Sequence, residues 1–223
     1  NFKFKDITNG SGLDSIPGWK TGVTMVDINQ DGFLDIYLCR SGRLQPQLRT
    51  NLLYVNNGDH TFTEKAKEYG LNDSANSIQS SFFDYDQDGD LDMYLLNHAV
   101  DPVRELSKPI AAYENDTDTA DKLYRNDDGY YTEIGASLGI DQSVLGDGLG
   151  IAIGDLSNNG IPDIYVCNDF LGRDFLYRNL GDGKLKEDAL QAMNHISSSS
   201  MGVDMADIDN DGYLEIIMAN SSK

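Results

Sequence analysis

The chain contains few of the residues on which redox, zinc and disulfide chemistry depend. Its 223 residues include only two cysteines and three histidines. Proline and tryptophan are scarce as well, with five and one. Two cysteines cannot form the disulfide framework of a small secreted scaffold, and His60, His98 and His195 lie too far apart for a metal-binding motif. No apolar run approaches the ~20 residues that span a bilayer as a helix. The sequence therefore predicts no disulfide scaffold and no transmembrane segment in this chain.

Basic residues are also scarce. The chain has 17 lysines and arginines against 37 aspartates and glutamates, which gives a formal net charge of −20. Nucleic-acid phosphates and anionic membrane surfaces would repel such a chain. We therefore expect no nucleic-acid partner. Bound cations would neutralise part of this charge, and the spacing of the acids indicates where such cations bind.

Four nonapeptides repeat one acidic pattern, and we call them acidic loops 1 to 4. They are Asp27–Asp35, Asp84–Asp92, Asp155–Asp163 and Asp207–Glu215. Each has oxygen-bearing side chains at positions 1, 3, 5 and 9 and a glycine at position 6. Ca²⁺ takes about six to eight oxygen ligands, which such a loop supplies from alternating side chains and the position-7 carbonyl, while glycine accommodates the sharp turn. Four copies in register predict a repeated calcium site.

The pattern assigns five ligands to each loop and up to four Ca²⁺ ions to the chain. The assigned residues are Asp27, Asn29, Asp31, Phe33 and Asp35 in loop 1; Asp84, Asp86, Asp88, Asp90 and Asp92 in loop 2; Asp155, Ser157, Asn159, Ile161 and Asp163 in loop 3; and Asp207, Asp209, Asp211, Tyr213 and Glu215 in loop 4. Loop 3 has neutral Ser157 and Asn159 where loops 2 and 4 have acids. Because calcium affinity follows ligand charge and rigidity, we expect loop 3 to lose its ion first.

The residues around these loops distinguish them from EF-hands. An EF-hand places a glutamate at position 12 and a helix on each side. Here position 12 is Leu38, Leu95, Val166 or Met218, inside a short apolar run rich in β-branched and aromatic residues. Similar strand-sized runs precede the loops. Each unit is therefore predicted to be a β-hairpin whose turn is closed by the metal.

A second predicted hairpin follows three of the loops. Asn51–Gly58, Lys122–Gly129 and Phe175–Gly183 all contain Leu-Tyr-x-Asn followed by an Asn-Gly or Asp-Gly pair. Such pairs between short strands are strong indicators of a hairpin turn. Two hairpins per repeat make a four-stranded unit. A recurring four-stranded unit predicts an all-β fold of the β-propeller type, with the units as blades.

The order strand, D-x-D-x-D-G-x-x-D, strand, N-x-L-Y-x-N-x-G resembles the FG-GAP/VCBS repeat of integrin-α-type propellers. The segment Asn168–Asn179, with the sequence Asn-Asp-Phe-Leu-Gly-Arg-Asp-Phe-Leu-Tyr-Arg-Asn, is similar to the cartilage-acidic-protein-like group of extracellular proteins. The resemblance covers nearly the whole chain. It implies an extracellular or cell-surface propeller with Ca²⁺ in its blade loops, used for binding rather than catalysis. Ser157, Asn159 and Glu215 depart from the family pattern.

The repeat predicts three whole blades with part of a blade at each end. We assign residues 1–13 to the end of a blade, residues 14–71, 72–140 and 141–194 to whole blades, and residues 195–223 to the first half of a blade. Two arrangements satisfy this pattern. Either the partial blades complete each other in a closed four-bladed propeller, or the chain is a segment of a larger propeller. The resemblance implies about seven blades, and we favour the segment.

The two cysteines occupy equivalent positions in different blades. Cys39 and Cys167 each lie four residues after the last acid of their loop. Equivalent positions in separate blades lie farther apart than the ~7 Å limit for a disulfide. We therefore expect two buried, unpaired thiols.

The sequence favours binding over catalysis, and we expect no enzyme activity. Nearly all paired acids are accounted for as metal ligands, so a hydrolase built on paired carboxylates is the weakest hypothesis. The segments between the two hairpins of a blade, Arg40–Thr50, Asn97–Asp121 and Asn168–Asp174, vary in length and leave equivalent strands. Variable loops on a repeated frame are typical recognition sites. We expect the partner to contact this face, above all at Asn97–Asp121.

Arginines concentrate in or beside these segments: Arg40, Arg43, Arg49, Arg104 and Arg173. They either balance nearby acids or bind an acidic ligand, and Trp19 and Tyr113 either stack on a ligand or belong to the core. The predicted partner is a protein or a glycan at the cell surface or in the extracellular matrix. The chain would then be an interaction or adhesion module or, alternatively, a glycan-binding module of a surface nutrient-uptake complex. Modest calcium sites fill at extracellular calcium levels but not in cytosol, so we expect a secreted protein or one anchored through segments outside this chain.

Overall fold

The structure of the protein, a computed structural model, describes residues 2–13, 16–99, 118–142, 147–169, 172–197 and 199–221. The β-strands in these ranges are β1 (Trp19–Val26), β2 (Asp35–Ser41), β3 (Leu52–Asn56), β4 (Phe62–Glu64), β5 (Ser77–Phe83), β6 (Asp92–Asn97), β7 (Lys122–Asp127), β8 (Tyr130–Glu133), β9 (Gly148–Gly154), β10 (Asp163–Asn168), β11 (Phe175–Asn179), β12 (Leu185–Glu187), β13 (Ser200–Ala206) and β14 (Glu215–Asn220). Four single-turn helices are α1 (Pro46–Arg49), α2 (Ala66–Tyr69), α3 (Gly135–Leu138) and α4 (Ala189–Ala192). No helix within the described ranges could cross a bilayer.

The strands form four antiparallel sheets, which we call blades 1 to 4 in chain order. Blades 1, 2 and 3 contain β1–β4, β5–β8 and β9–β12, and in each of them the strands lie side by side in sequence order. Blade 4 is described as the β13–β14 hairpin. Each acidic loop joins the first strand of its blade to the second. The predicted all-β fold with four-stranded, propeller-type blades is confirmed.

The second hairpin of each whole blade is closed by a tight turn and followed by a short helix. Between β7 and β8, Asp128 and Gly129 both have positive φ, at 55° and 88°, as a two-residue type I′ turn requires. A glutamate then ends the fourth strand and accepts the backbone N–H two residues further on, at 2.7–3.0 Å. These glutamates are Glu64, Glu133 and Glu187. Their bonds satisfy a backbone N–H at the beginning of each short helix, which otherwise has no intrahelical partner.

The hydrophobic core lies between successive blades rather than within any one of them. One buried cluster joins blades 1 and 2, a second joins blades 2 and 3, and a third joins blade 3 to β13 and β14. At the first of these, the Phe82 ring meets Tyr37 edge-on at 5.7 Å and Tyr131 at 6.3 Å between ring centroids. A single blade cannot cover its own faces, so neighbouring blades stabilise each other.

The described blades form an open arc. Strands β6 and β10, which have a blade on either side, are buried at every position, whereas β2 and β14 are only partly buried. Val23 and Ile217, on the outward faces of blades 1 and 4, are 65% and 49% exposed. Packing joins β1 to β5, β5 to β9 and β9 to β13, but no comparable packing joins blade 4 to blade 1 within the described ranges. The alternative of a closed four-bladed propeller is therefore wrong for this structure, and the total of about seven blades stays a prediction.

Both cysteines are buried and unpaired, as expected. Cys39 lies in the cluster between blades 1 and 2, and Cys167 in the cluster between blade 3 and blade 4. Burial raises the pKa of each thiol to about 12. Because the thiolate is the reactive form of cysteine, these residues serve packing rather than redox chemistry.

A buried polar bridge recurs at the end of the blades opposite the acidic loops. In blade 2 the Tyr94 hydroxyl donates to Oδ2 of Asp121 at 2.9 Å, and the backbone N–H of Asn97 donates to Oδ1 at 2.8 Å. Blade 3 repeats the arrangement with Asp174, whereas blade 1 has Asn51 in place of the aspartate. Burial raises the pKa of Asp121 to about 7. In blade 1 the neutral Asn51 accepts the equivalent backbone N–H, from Arg40, at 2.8 Å, while the Tyr37 hydroxyl donates to the Leu71 carbonyl. The backbone part of the bridge therefore does not need a charge.

We predict that Asp121→Asn removes a pH-dependent loss of stability. Since the pKa of Asp121 is raised on folding from its ordinary value of 3.8, its stabilising contribution is complete below about pH 4 and is lost as the pH rises through about 7. Urea unfolding from pH 4 to 8 should show the wild type losing up to about 4 kcal/mol relative to the variant. The reverse change, Asn51→Asp, should add a loss of the same sign. Parallel pH profiles for wild type and Asp121→Asn would contradict this prediction.

Candidate metal centres in the acidic loops

The four acidic loops share one backbone conformation at two positions. The position-6 glycines, Gly32, Gly89, Gly160 and Gly212, have φ of 84–100°. The position-4 residues, Gln30, Gln87, Asn158 and Asn210, have φ of 50–62°. Glycine adopts the left-handed region without steric cost, and asparagine tolerates it better than most residues. The sequence predicted the turn at position 6 but missed the one at position 4, where only the recurrence of Gln and Asn indicated it.

The position-1 carboxylate organises each turn from within. Its two oxygens accept the backbone N–H groups of positions 5 and 6, at 2.8–3.1 Å in all four loops. The position-5 side chain in turn accepts the N–H of position 7, at 2.8–3.1 Å. These position-7 residues are Phe33, Asp90, Ile161 and Tyr213. The loop is therefore wrapped around the position-1 acid, which brings the oxygens of the odd positions to one side.

The position-9 carboxylate links the loop to the second hairpin. In blade 2, Oδ2 of Asp92 accepts the N–H of Tyr85 at 2.9 Å and Oδ1 accepts the N–H of Asn126 at 2.9 Å. Asp35 makes the same pair of bonds in blade 1 at 3.0 and 2.7 Å. Asp92 and Asp35 have no exposed surface. This acid therefore holds the two hairpins of a blade together before any metal is considered.

Loop 2 has the arrangement that best fits a cation. Asp84, Asp86 and Asp92 each offer a carboxylate oxygen within 4.8 Å of the others. Oδ1 of Asp86 and Oδ1 of Asp90 are buried and have no hydrogen-bond partner in the described part of the chain. Burial, followed by the Asp88 and Asp84 carboxylates, raises the pKa of Asp86. Burial and then Asp88 raise the pKa of Asp90 to about 6. Converging carboxylates that disfavour their own charge are a fit for a divalent cation, which would reverse this preference.

Loops 4 and 1 offer related but not identical sets of oxygens. In loop 4, Asp207, Asp209 and Glu215 bring carboxylate oxygens within 4.8 Å of one another. Oε2 of Glu215 accepts the N–H of position 2 at 2.8 Å, as the aspartates of loops 1 and 2 do. In loop 1, Asn29 replaces an acid and donates to Oδ2 of Asp31 at 2.9 Å. Loop 4 therefore fits a cation by the same criterion as loop 2, whereas the three aspartates of loop 1 do not bring their oxygens within 4.8 Å of one another. Calcium in loop 1 stays a prediction.

In loop 3 the candidate ligand residues form hydrogen bonds with other groups of the protein. The N–H and the hydroxyl of Ser157 both donate to Oδ2 of Asp163 at 2.8 Å. The Asn159 amide donates to the carbonyl of Asn179 at 2.9 Å. Ser157 and Asp163 therefore lie together, but the loop 3 residues bond to the protein and do not fit a calcium ion as those of loops 2 and 4 do.

The asparagines of the Leu-Tyr-x-Asn pattern were predicted only as hairpin residues, yet they connect to the acidic loops. In blade 1 the backbone N–H of Asn56 donates to Asp35, and its side-chain amide donates to the Leu34 carbonyl at 3.1 Å. Oδ1 of Asn56 accepts the N–H of Gly58 in the hairpin turn at 3.0 Å. Asn126 and Asn179 take the same position in blades 2 and 3. The recurrence of this asparagine in three hairpins was the only signal in the sequence for its bond to the position-9 acid.

Glutamine side chains link successive loops along the arc. The Gln30 amide donates to the carbonyl of Gly89 at 3.3 Å, which joins loop 1 to loop 2. The Gln87 amide donates to the carbonyl of Gly160 at 2.8 Å, which joins loop 2 to loop 3. Loops 1 to 3 therefore form a continuous row at one end of the blades.

The arginines at the opposite end are used within the protein. Arg40 is buried and donates to the backbone carbonyls of Thr50, Pro17 and Gln47. Arg49 pairs with Asp118, and Arg173 makes two bonds to Glu187 at 2.9 and 2.8 Å. For Arg40, Arg49 and Arg173, the interpretation as structural residues is therefore favoured over an acidic-ligand site. Arg43 is exposed and also has an intramolecular interaction.

The described part of the predicted recognition face is small. Residues 100–117, with Arg104 and Tyr113, and residues 170–171 lie outside the described ranges. Trp19 begins β1 and is 70% exposed, so it does not belong to the core. His60 is exposed in its hairpin turn and His195 is exposed before β13, whereas His98 is half-buried and forms an isolated β-bridge with Asp147. The three histidines are not part of any metal-ligand cluster in the described ranges.

Comparisons with known proteins agree with this architecture. Residues 41–95 and 155–218 match the family model for the FG-GAP-like repeat. The chain is 27% identical over 206 residues to cartilage acidic protein 1 of Xenopus tropicalis, 28% over 219 residues to that of Homo sapiens and 27% over 219 residues to that of Mus musculus. Each comparison covers 89% of this chain and 30% of the relative. The chain thus spans less than a third of the length of these relatives.

We predict that positions 9 and 5 of loop 2 differ in what they stabilise. Asp92→Ala leaves the buried N–H groups of Tyr85 and Asn126 without acceptors, which should cost about 2–5 kcal/mol even in EGTA. Asp88→Ala removes an exposed carboxylate whose bond from the Asp90 N–H water can replace, and it should change stability in EGTA by less than about 1 kcal/mol. Urea unfolding of both variants in EGTA checks this. Equal losses in EGTA would show that position 9 has no special link to the second hairpin.

Proposed function

The chain belongs to the FG-GAP-like repeat family, and from that premise we propose that it is a calcium-stabilised, extracellular β-propeller module that binds a protein partner. The observation that carries the calcium proposal is the convergence in loop 2, where carboxylate oxygens of Asp84, Asp86 and Asp92 lie within 4.8 Å of one another. Buried oxygens of Asp86 and Asp90 without hydrogen-bond partners in the described ranges support it.

Calcium suits these loops better than magnesium because of the kind and number of donors. Carboxylates and a position-7 carbonyl are hard oxygen ligands, and a nine-residue loop supplies more of them than the few protein ligands that Mg²⁺ usually takes. A bound ion would supply positive charge where the loop gathers negative charge. The residues of the chain would orient it: position 1 also holds the turn, position 9 also holds the second hairpin, and carboxylate oxygens of positions 1, 3 and 9 would meet at the ion.

The role of this ion would be structural, and binding would occur elsewhere on the module. Loops 1 to 3 form a row at one end of the blades and are linked through Gln30 and Gln87. An ion in such a loop would fix two strands of a blade, and through the inter-blade core it would stabilise the neighbouring blades. The segments between hairpins would then be presented on a rigid frame, which is the usual arrangement for loop-based recognition.

The extracellular compartment follows from charge and calcium together. The net charge of −20 disfavours nucleic-acid and anionic-membrane partners. Loops closed by a few carboxylates would fill at the high calcium of extracellular fluid. Similarity to proteins named cartilage acidic protein 1 supports this proposal.

A glycan-binding module is the second candidate, and the exposure of Trp19 is the observation that favours it. An aromatic ring 70% exposed beside the segment after β2 could stack on a sugar ring. We predict that Trp19→Ala abolishes any binding on a sugar array while leaving the calcium-dependent melting temperature within about 2 °C of the wild type. Retention of sugar binding in this variant would exclude Trp19 as the platform. We do not propose a hydrolase, because Asp121, the acid outside the loops whose pKa is raised within the described ranges, is buried.

We predict that removal of calcium lowers stability without any partner present. When the free Ca²⁺ concentration is about a hundredfold above the Kd of a site, that site adds roughly 2.7 kcal/mol to the free energy of unfolding. This corresponds to a rise of about 5–10 °C in the melting temperature of a domain of this size. Thermal melts in EGTA and in about 1–2 mM Ca²⁺ should therefore differ by at least this amount. The variant Asp86→Asn/Asp88→Asn should lose part of the difference.

The matched control is Asp128→Asn, which removes a charge from the hairpin turn of the same blade and keeps a residue that tolerates its φ of 55°. This variant should retain the full calcium effect. Superimposable wild-type melts in EGTA and Ca²⁺ would contradict the calcium proposal.

A further inference from the structure

Acidic loop 3 differs from the other loops in the N–H that its position-9 acid accepts. In loops 1, 2 and 4 this acid accepts the N–H of position 2 at 2.8–3.0 Å. In loop 3, Asp163 instead accepts the N–H of Ser157, at position 3, and the N–H of Leu156 donates to the carbonyl of Gly154 at 3.0 Å. The N–H that the position-9 acid accepts is therefore one residue later in loop 3 than in the other loops. The Ser157 side chain is thereby directed onto Asp163 by its own hydroxyl hydrogen bond.

A cation from the second hairpin reaches this serine. Nε of Arg178 donates to Oγ of Ser157 at 3.0 Å, and Nη1 of Arg178 donates to Oδ2 of Asp188 at 3.0 Å. The guanidinium, Ser157 and Asp163 therefore form a continuous chain from the second hairpin into the loop. A fixed positive charge at position 3 would repel a divalent ion at the position where loop 2 has Asp86.

The corresponding residues of the other blades show why only blade 3 does this. Arg125 occupies the equivalent position in blade 2, but its Nε and Nη2 donate to Asp127 at 3.1 and 2.9 Å. Blade 1 has Val55 at this position. In blade 3, Leu180 replaces the aspartate that holds Arg125, and Asp188 at the beginning of α4 holds Arg178 toward the loop. Two differences outside the acidic loop thus direct the arginine into it.

The remaining oxygens of loop 3 are also engaged. The Asn159 amide donates to the carbonyl of Asn179 at 2.9 Å, while its Oδ1 accepts the N–H of Ile161 at 3.0 Å. The Gln87 amide of loop 2 holds the carbonyl of Gly160 at 2.8 Å. Loop 3 is therefore held from both sides by protein groups, without the partnerless carboxylate oxygens found in loop 2.

We infer that acidic loop 3 does not take calcium, and that the Arg178 guanidinium, acting through Ser157, replaces the ion in that loop. The module then takes calcium in loops 1, 2 and 4, and blade 3 keeps its turn closed at any calcium concentration. The inference rests on the proposed function for the ion count, whereas the Arg178 contact with Ser157 can be tested separately in EGTA.

The first test measures calcium content on the full chain by equilibrium dialysis with ⁴⁵Ca²⁺. Wild type should bind three ions, and Ser157→Ala should bind the same number. The matched change in loop 2, Asp86→Ala, should remove one ion. A fourth ion in wild type that is lost in Ser157→Ala would overturn the inference.

The second test separates the arginine contact from calcium. Arg178→Val introduces the residue of blade 1, and Lys186 remains bonded to Asp188 in this variant. Its melting temperature should fall by about 3–10 °C in EGTA and by the same amount in Ca²⁺, whereas Asp86→Ala should lower the melting temperature only in Ca²⁺. An Arg178→Val effect that disappears in EGTA would overturn the inference. If wild type binds no calcium, the proposed function fails, and the EGTA melts still decide whether Arg178 stabilises loop 3.

The third test converts the loop. Ser157→Asp/Asn159→Asp/Arg178→Val gives loop 3 the acids of loop 2 and removes the competing cation. This variant should bind one ion more than wild type. If Ser157→Asp/Asn159→Asp gains the ion with Arg178 still present, the arginine is not what excludes calcium and the inference is overturned.

Discussion

Blades 1 to 3 each depend on one buried carboxylate, the acid at position 9 of the acidic loop. In blades 1 to 3 it accepts one N–H from the loop and one from the end of the third strand. Hydrogen bonds to a charged group are among the strongest in proteins, and a buried N–H that lost its acceptor would carry a large desolvation penalty. The first hairpin, which contains the loop, and the second hairpin, which contains the Leu-Tyr-x-Asn pattern, are therefore held in one sheet by a single side chain.

The same framework accommodates two ways of balancing the charge of a loop. Loop 2 gathers carboxylates whose pKa values are raised by burial and by one another, which is the electrostatic condition that a divalent cation relieves. Loop 3 has lost acids at positions 3 and 5 and has instead a serine and an asparagine that bond to the protein. The positively charged guanidinium of Arg178 contacts Ser157, at the position where loop 2 has the Asp86 carboxylate. The backbone turn is retained in both, because positions 1, 4 and 6 are unchanged in their conformation.

The two ends of the blades differ in what their polar residues do. At the loop end, buried carboxylate oxygens of Asp86 and Asp90 in loop 2 have no protein partner in the described ranges, and we propose a cation to complete them. At the opposite end, buried acids such as Asp121 and Asp174 are satisfied by tyrosine hydroxyl and backbone N–H groups. Arg49 and Arg173 are likewise paired with acids of the same chain. Arg49 and Arg173 are therefore less available to an acidic ligand than the sequence alone allowed.

The sequence alone determined the blade and its loops, because both are local. Strand runs, Asn-Gly and Asp-Gly turns and the spacing Asp27–Asp35 specify short-range geometry, and their repetition required the faces to be covered by neighbouring blades. Tertiary structure decided what depends on distant residues. The open arc followed from which faces stay exposed, as at Val23. The difference between loops 2 and 3 followed from the direction of Arg178, which is set by Asp188 across the blade. Ligand spacing identifies the oxygens that can meet, but only packing determines whether a protein group has already bonded to them.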